Sequence, residues 1–128
     1  MSAEIVVRSF LEHLSRRETD AALARLDDEV VWRNTGLPAF HGPRVHAMLR
    51  DMESRGLGLE VRWHHVAAKG DVVLTDRTDV ISKGPWQTSF RVRGTFEVRE
   101  DRIVVWDDAF SWLELLASGA AGLAKMLR

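Results

Sequence analysis

The stretch from residue 57 to residue 110 constrains the fold most, because it consists of four long β-like runs separated by short turns. The turns fall at residues 69–70, 83–85 and 100–101, where glycine, proline or adjacent charged residues interrupt the apolar pattern. In the run SFRVRGTFEV apolar and polar residues alternate, which is the period of a strand with one buried face. Four such runs joined by tight turns predict one long antiparallel sheet.

Helical patterns lie on both sides of these runs. The segments AEIVVRSFLEHLSRR, TDAALARLDDE and HGPRVHAMLRDMESRG predict helices, and the β-rich segment EVVWRN lies between the second and the third. Ser111 and Glu114 have capping-box spacing and open a last helix, which Gly119 and Gly122 weaken. We therefore expect an α+β fold, with helices packed on one face of a curved, mixed or antiparallel sheet whose cone-shaped interior holds a ligand.

Charge and composition limit the classes of partner. The formal net charge is -1 and the isoelectric point is about 6.5, so neither nucleic acid nor a membrane is an expected partner. The chain has no cysteine, which excludes disulfides, thiolate zinc sites and cysteine nucleophiles. The N-terminal segment is too charged for a signal peptide, and no segment approaches the ~18 to 20 apolar residues of a membrane span. We expect residues 1–128 to form a single cytoplasmic domain.

Three predicted strands each carry two notable side chains at positions i and i+2, which share one face of a strand. The pairs are Trp32 with Asn34, Arg77 with Asp79, and Trp106 with Asp108. Asp108 occupies a position where the alternation of the last strand calls for an apolar residue. Because an isolated buried ion costs several kcal/mol, this carboxylate needs a partner, and Arg77 is the obvious candidate.

Each of these residues also has a simpler interpretation. Arg77 and Asp79 would be a solvated pair if their face of the strand is exposed. Asp108 would favour the N-terminus of the helix that follows it, and Asn34 would form a turn before Thr-Gly. The two tryptophans would belong to the core. The joint occurrence of the three pairs favours a functional site over these separate explanations.

Other kinds of site are not indicated by the sequence. The five histidines have neither His-x-His nor His-Glu-x-x-His spacing, and no glycine-rich phosphate loop follows a predicted strand. Serine and threonine residues lack a matched base, which argues against acyl transfer. We therefore expect neither a metal ion nor a cofactor.

Taken together, the segments VWRNTGLP, LTDRTDVI and RGTFEVREDRIVVWDD resemble those of the limonene-1,2-epoxide hydrolases, a family with the cone-shaped NTF2-like or SnoaL-like fold. The resemblance covers most of the chain. It implies a hydrogen-bonded Asp-Arg-Asp triad, and a water molecule that a tyrosine and an asparagine hold beside one of the aspartates. It also implies a homodimer that associates through the open face of the sheet.

Each role in the family falls on a residue of this chain. The resemblance assigns Asp108 as the base that deprotonates the water, Asp79 as the acid that protonates the epoxide oxygen, and Arg77 as the bridge between them. Asn34 corresponds to the amide that holds the water. Trp32 stands at the position of the tyrosine, and the chain has no tyrosine at all. An indole N–H donates a hydrogen bond as a phenol does, so Trp32 is able to contribute the donor that the water needs.

Epoxide opening by this set requires the two carboxyl groups to be in opposite protonation states. Two carboxylates and one guanidinium carry a total charge of -1, whereas one shared proton makes the triad neutral, which an apolar pocket favours. Apolar residues near the three pairs are candidates for the lining of the substrate pocket. They are Leu37, Phe40, Trp63, Phe90, Phe96 and Trp106.

The expected activity is therefore the hydrolysis of a small or medium hydrophobic epoxide to a vicinal diol, with water as the nucleophile. Two alternatives remain open. One is a polyketide cyclase of the SnoaL-like kind or an isomerase similar to ketosteroid isomerase, in which one aspartate moves a proton next to a carbonyl group. The other is a ligand-binding domain in which the triad persists only as a buried polar network.

Overall fold

The computed structural model describes residues 1–128 and consists of four helices and one six-stranded sheet. The helices are α1 (Ala3–Ser15), α2 (Thr19–Leu23), α3 (Pro43–Ser54) and α4 (Trp112–Met126). The strands are β1 (Leu26–Asn34), β2 (Phe40–His41), β3 (Leu57–Lys69), β4 (Val72–Lys83), β5 (Trp86–Arg99) and β6 (Arg102–Phe110). The α+β class and the curved mixed sheet predicted from the sequence are confirmed. The short strand β2 was not predicted.

The order of strands in the sheet is β2-β1-β6-β5-β4-β3. Strands β3 to β6 form the antiparallel meander that the turns predict, and β1 adds to it in parallel with β6. This parallel pairing aligns Trp32 with Trp106 and Asn34 with Asp108. Two of the three predicted pairs therefore lie side by side on neighbouring strands.

The core lies between the concave face of the sheet and the N-terminal helices. Helix α1 contributes Val6, Val7, Phe10 and Leu11, all fully buried. On β5 the even-numbered residues from Thr88 to Val98 are buried and most of the odd-numbered ones are exposed, as the alternation in the sequence predicts. The convex face of the sheet is thus free of helices along β5. No helix in the protein is both long enough and apolar enough to cross a membrane.

Helix α4 covers the first half of β5, beyond the point where β6 ends. Residues 86–91 of β5 have no partner in β6, whose pairing with β5 begins at Val92. The Thr88 hydroxyl donates to the Leu115 carbonyl at 2.6 Å, and Trp86 Nε1 donates to the Gly119 carbonyl at 2.9 Å. These bonds fix α4 as one wall of the space enclosed by the sheet.

Candidate active site

Arg77 is the centre of a buried ionic network that joins strands β4 and β6. Its Nε donates to Asp79 Oδ1 at 2.9 Å, and its Nη2 donates to Asp79 Oδ2 at 3.2 Å and to Asp108 Oδ2 at 2.8 Å. The exposed fractions are 0% for Arg77, 7% for Asp79 and 6% for Asp108. The interpretation of Arg77 and Asp79 as a solvated pair is therefore wrong, because the face of β4 that they share points into the molecule.

Two further side chains belong to this network through hydrogen bonds that the sequence analysis did not predict. Arg77 Nη1 donates to Thr75 Oγ1 at 2.8 Å, and Trp106 Nε1 donates to Asp108 Oδ2 at 3.0 Å. A signal was available in both cases, since Thr75 and Trp106 each precede a charged residue by two positions and so share its face of the strand. The prediction had assigned Trp106 to the pocket wall alone.

The surroundings of the network shift the pKa of each of its three ionisable groups. Burial raises the pKa of Asp79 above the ordinary value, against the attraction of Arg77. Burial also raises the pKa of Asp108, with the charge of Asp79 adding to the effect and Arg77 and Trp106 opposing it. For Arg77, burial acts against the charged form, but the attraction of the two carboxylates raises its pKa overall. The guanidinium thus stays charged, and the carboxyl pair binds a proton more readily than two free aspartates.

Two buried polar atoms at the site form no hydrogen bond with another protein group. They are the donor Trp32 Nε1 and the acceptor Asp108 Oδ1. Buried polar groups nearly always have a partner, which is often an ordered water molecule. The Trp32 ring stacks on Trp106 with centroids 4.1 Å apart and planes 10° apart, so both indoles are fixed next to the network. A small ligand that both accepts and donates would satisfy this donor and this acceptor.

A cavity of about 300 Å³ opens at the network. Asp79, Asp108, Asn34 and Trp32 line it, whereas Arg77 lies behind the two carboxyl groups and does not. The rest of the lining is mostly apolar. Of the predicted pocket residues it includes Leu37, Phe40, Phe90 and Trp106. It also includes residues that the sequence prediction missed, among them Met48, Met52, Ile81, Val92, Phe110 and Trp112.

The structure corrects the prediction for two aromatic residues, since neither Trp63 nor Phe96 lines the cavity. Phe96 is fully buried in the core, where its ring stacks on Trp106 with centroids 6.4 Å apart. Trp63 lies on the edge strand β3 beneath the guanidinium of Arg8, which is 4.9 Å from the ring centroid. Both residues are on suitable strands but too far along them to reach the cavity.

Comparisons with known proteins agree with this geometry. Residues 1–120 match the family model described as the limonene-1,2-epoxide hydrolase catalytic domain. Epoxide hydrolase EphG of Mycobacterium tuberculosis is 37% identical over 122 residues, which are 94% of this chain and 81% of that protein. The solved structure of an M. tuberculosis LEH-like epoxide hydrolase matches with a TM-score of 0.91 and 36% identity, over 98% of this chain and 94% of the other.

A more distant solved structure extends the likeness of the fold. An NTF2-like protein from Burkholderia xenovorans matches with a TM-score of 0.73 at 16% identity, over 91% of this chain and 95% of that chain. At this identity the match concerns the backbone arrangement alone, because folds of this kind serve unrelated functions.

Proposed function

The chain belongs to the limonene-1,2-epoxide hydrolase family, and we propose that it adds water directly to a small or medium hydrophobic epoxide, without a cofactor, to give a vicinal diol. One observation carries the proposal: a buried arginine bridges two carboxyl groups that both line one apolar cavity. An acid and a base on the same cavity are what the addition of water across an epoxide requires.

Asp108 is the base in this mechanism. Its Oδ2 already accepts hydrogen bonds from Arg77 Nη2 and Trp106 Nε1, which leaves Oδ1 as the oxygen that takes a proton. The nucleophilic water donates one hydrogen to Asp108 Oδ1 and the other to the side-chain carbonyl of Asn34. It accepts a bond from Trp32 Nε1, and its remaining lone pair attacks an epoxide carbon.

Asp79 is the acid that protonates the leaving oxygen of the epoxide. Burial raises the pKa of this carboxyl, which favours the protonated form that an acid needs. With one proton shared between the two carboxyl groups, the charge of Arg77 balances the single remaining carboxylate. After one turnover Asp108 holds a proton and Asp79 has lost one, and transfer of that proton through the network or solvent restores the starting state.

The cavity supports a compact apolar substrate. Its volume of about 300 Å³ lies at the lower end of the range for small-molecule sites. Apart from the two catalytic carboxyl groups, its inner lining offers little charge to a substrate, because the charged lining residues Arg17 and Glu53 are both exposed. A hydrophobic epoxide is therefore favoured over an ionic one.

The first test is diol formation in H₂¹⁸O by the wild type, Asp108→Asn and Asp107→Asn. The panel contains cyclohexene, styrene and limonene oxides, and enzyme is in excess so that only one turnover occurs. We expect wild-type diol to carry ¹⁸O in this first turnover, because water attacks without a covalent intermediate. Loss of the base lowers the rate on the order of 10² to 10⁴ in Asp108→Asn. Asp107→Asn, whose side chain has no bond to the network, retains the wild-type rate.

Two outcomes would contradict the mechanism. Diol that carries ¹⁶O in the first turnover would mean that a protein oxygen attacks the epoxide. An active Asp108→Asn would remove Asp108 as the base. If the folded wild type leaves every epoxide unchanged, the isomerase, cyclase and ligand-binding alternatives take precedence.

We further propose that residues 1–128 act as a single domain that forms a homodimer in the cytoplasm. The dimer is supported by the family resemblance and by the convex face of the sheet, where most odd-numbered residues of β5 are exposed, Arg91 and Arg93 among them. Light scattering after size exclusion should give a mass twice the 14.5 kDa of the chain. A monomer at micromolar concentration would contradict the proposal.

A further inference from the structure

We propose that Thr75 and Gly94 form a fixed seat for Arg77, which holds the guanidinium in place while protons move between the two carboxyl groups of the site. The inference rests on the proposed function and adds two positioning residues to it. Thr75, Gly94 and Asp108 are aligned on three neighbouring strands, since Thr75 pairs with Gly94 on β5 and Gly94 pairs with Asp108 on β6.

The direction of the hydrogen bonds at Thr75 is fixed by chemistry. A guanidinium only donates, so the Thr75 hydroxyl accepts from Arg77 Nη1 at 2.8 Å. Its single hydrogen then goes to the Gly94 carbonyl, 3.3 Å from Oγ1. Through this hydroxyl the backbone of β5 determines where Nη1 lies, while Nε and Nη2 face the two aspartates.

Gly94 supplies the space for this arrangement. A Cβ atom at position 94 would lie 2.5 Å from Arg77 Nη1, 2.7 Å from Thr75 Oγ1 and 2.8 Å from Asp108 Oδ1. All three distances are shorter than van der Waals contact, so any side chain at this position displaces the network. The backbone of Gly94 has no positive φ angle, which means that the glycine is needed for close approach and not for an unusual conformation.

The seat matters because the carboxyl groups change charge during turnover. When the proton resides on one aspartate, the other attracts Arg77 more strongly, and the preference reverses when the proton moves. The Thr75 hydroxyl does not titrate near neutral pH, so its bond to Nη1 remains the same in every protonation state. A guanidinium anchored at Nη1 therefore bridges both carboxyl groups throughout, and does not follow the ionised one.

The test compares the turnover of a hydrolysed epoxide by the wild type, Thr75→Val and Thr75→Ser. Valine keeps the shape but removes the hydroxyl, and a misplaced catalytic group costs on the order of 10² in rate. We expect kcat of Thr75→Val to fall about 10- to 100-fold with little change in KM, because the cavity lining does not include Thr75. Thr75→Ser restores the hydroxyl and should recover most of kcat.

Thr78→Val is the matched control. Thr78 lies on the same strand as Thr75 but on its opposite face, where its hydroxyl is 2.8 Å from His64 Nε2, and it neither bonds to the triad nor lines the cavity. We expect this variant to lose the contact with His64 while it retains kcat. A Thr75→Val variant with wild-type kcat, or a Thr75→Ser variant as slow as the valine variant, would overturn the proposal.

A second measurement does not depend on activity. In ¹⁵N-edited NMR spectra, a guanidinium held at both Nη1 and Nη2 rotates slowly and gives separate Nη signals for Arg77. We expect separate signals in the wild type and Thr78→Val, and averaged signals in Thr75→Val and in Gly94→Ala. Gly119→Ala serves as the control for the glycine, since its added methyl group would meet Trp86 at 3.1 Å and not the network. Separate Arg77 signals in Thr75→Val would contradict the anchoring of Arg77 by Thr75, even if no epoxide is hydrolysed. An inactive wild type with the expected spectra would contradict only the proposed function.

Discussion

At the scale of single residues, the proposed water site depends most on Trp32. Its ring stacks on Trp106 and lies 6.0 Å from the ring of Phe40, so its orientation is set by aromatic packing. Its Nε1 is buried and has no partner among the protein groups. An indole with this burial has only the N–H to offer, and the proposed water is the acceptor that would use it.

Substitution of Trp32 separates the role of the N–H from that of the ring. Trp32→Phe keeps an aromatic ring but removes the donor, and we expect kcat for diol formation to fall about fivefold, as loss of one hydrogen bond of roughly 1 kcal/mol implies. Trp32→Tyr keeps a donor and should remain active. Trp63→Phe is the control, because it removes an indole that lies under Arg8 and does not line the cavity. If Trp32→Phe has wild-type kcat, the indole N–H has no part in the reaction.

The sequence carries information about strand faces but not about depth along a strand. The i, i+2 spacing predicts that Arg77 and Asp79 share a face, and that Asp108 on an apolar face needs a partner; the contacts in the structure agree with both. The same alternation gives Phe96 and Phe90 the same face of β5, yet only Phe90 reaches the cavity. The distance along the strand depends on where β6 ends and α4 begins, which a local pattern does not contain.

At the scale of elements, helix α4 shows how packing overrides helix propensity. Gly119 and Gly122 weaken the helical prediction, yet α4 is continuous from Trp112 to Met126. A Cβ at Gly122 would lie 2.5 Å from the Gln87 carbonyl oxygen, and one at Gly119 would lie 3.1 Å from Trp86. The two glycines are therefore the reason why α4 approaches β5 closely enough to close the cavity.

The pairing of β1 with β6 is the element-level feature that the sequence could not reveal. The two strands are far apart in the chain and parallel, so no turn between them specifies their register. This pairing nevertheless brings Trp32 and Asn34 to Asp108. The α+β class follows from periodicity and turns, whereas the assembly of the site depends on a long-range contact that only the folded sheet defines.

At the scale of the whole molecule, the protein combines a buried ionic network with ion pairs nearer the surface, and the two respond to pH in different ranges. A hydrogen bond from Arg91, with the attraction of its charge, lowers the pKa of the half-buried Asp76 to about 2, so this pair loses its effect only in strong acid. The pKa values of Asp79 and Asp108 are raised by burial. Above the ordinary aspartate pKa of 3.8, this buried pair therefore still exchanges protons on folding, whereas Asp76 does not.

The raised pKa values predict that stability falls as the pH rises above the ordinary aspartate pKa of 3.8. In this range the unfolded chain has released its aspartate protons while the folded protein still binds one, so each increase in pH favours unfolding until the folded pair is ionised. Asp79→Asn removes one of the coupled groups, and its Tm should decrease less than that of the wild type over the same range.

Asp76→Asn is the control. Asp76 is ionised in both the folded and the unfolded state above about pH 5, so the change of Tm with pH in this variant should equal that of the wild type. Comparison of the slopes of wild type, Asp79→Asn and Asp76→Asn isolates the contribution of the buried pair. Equal slopes would mean that the folded protein holds no extra proton there, and the neutral triad on which the acid role of Asp79 depends would be wrong.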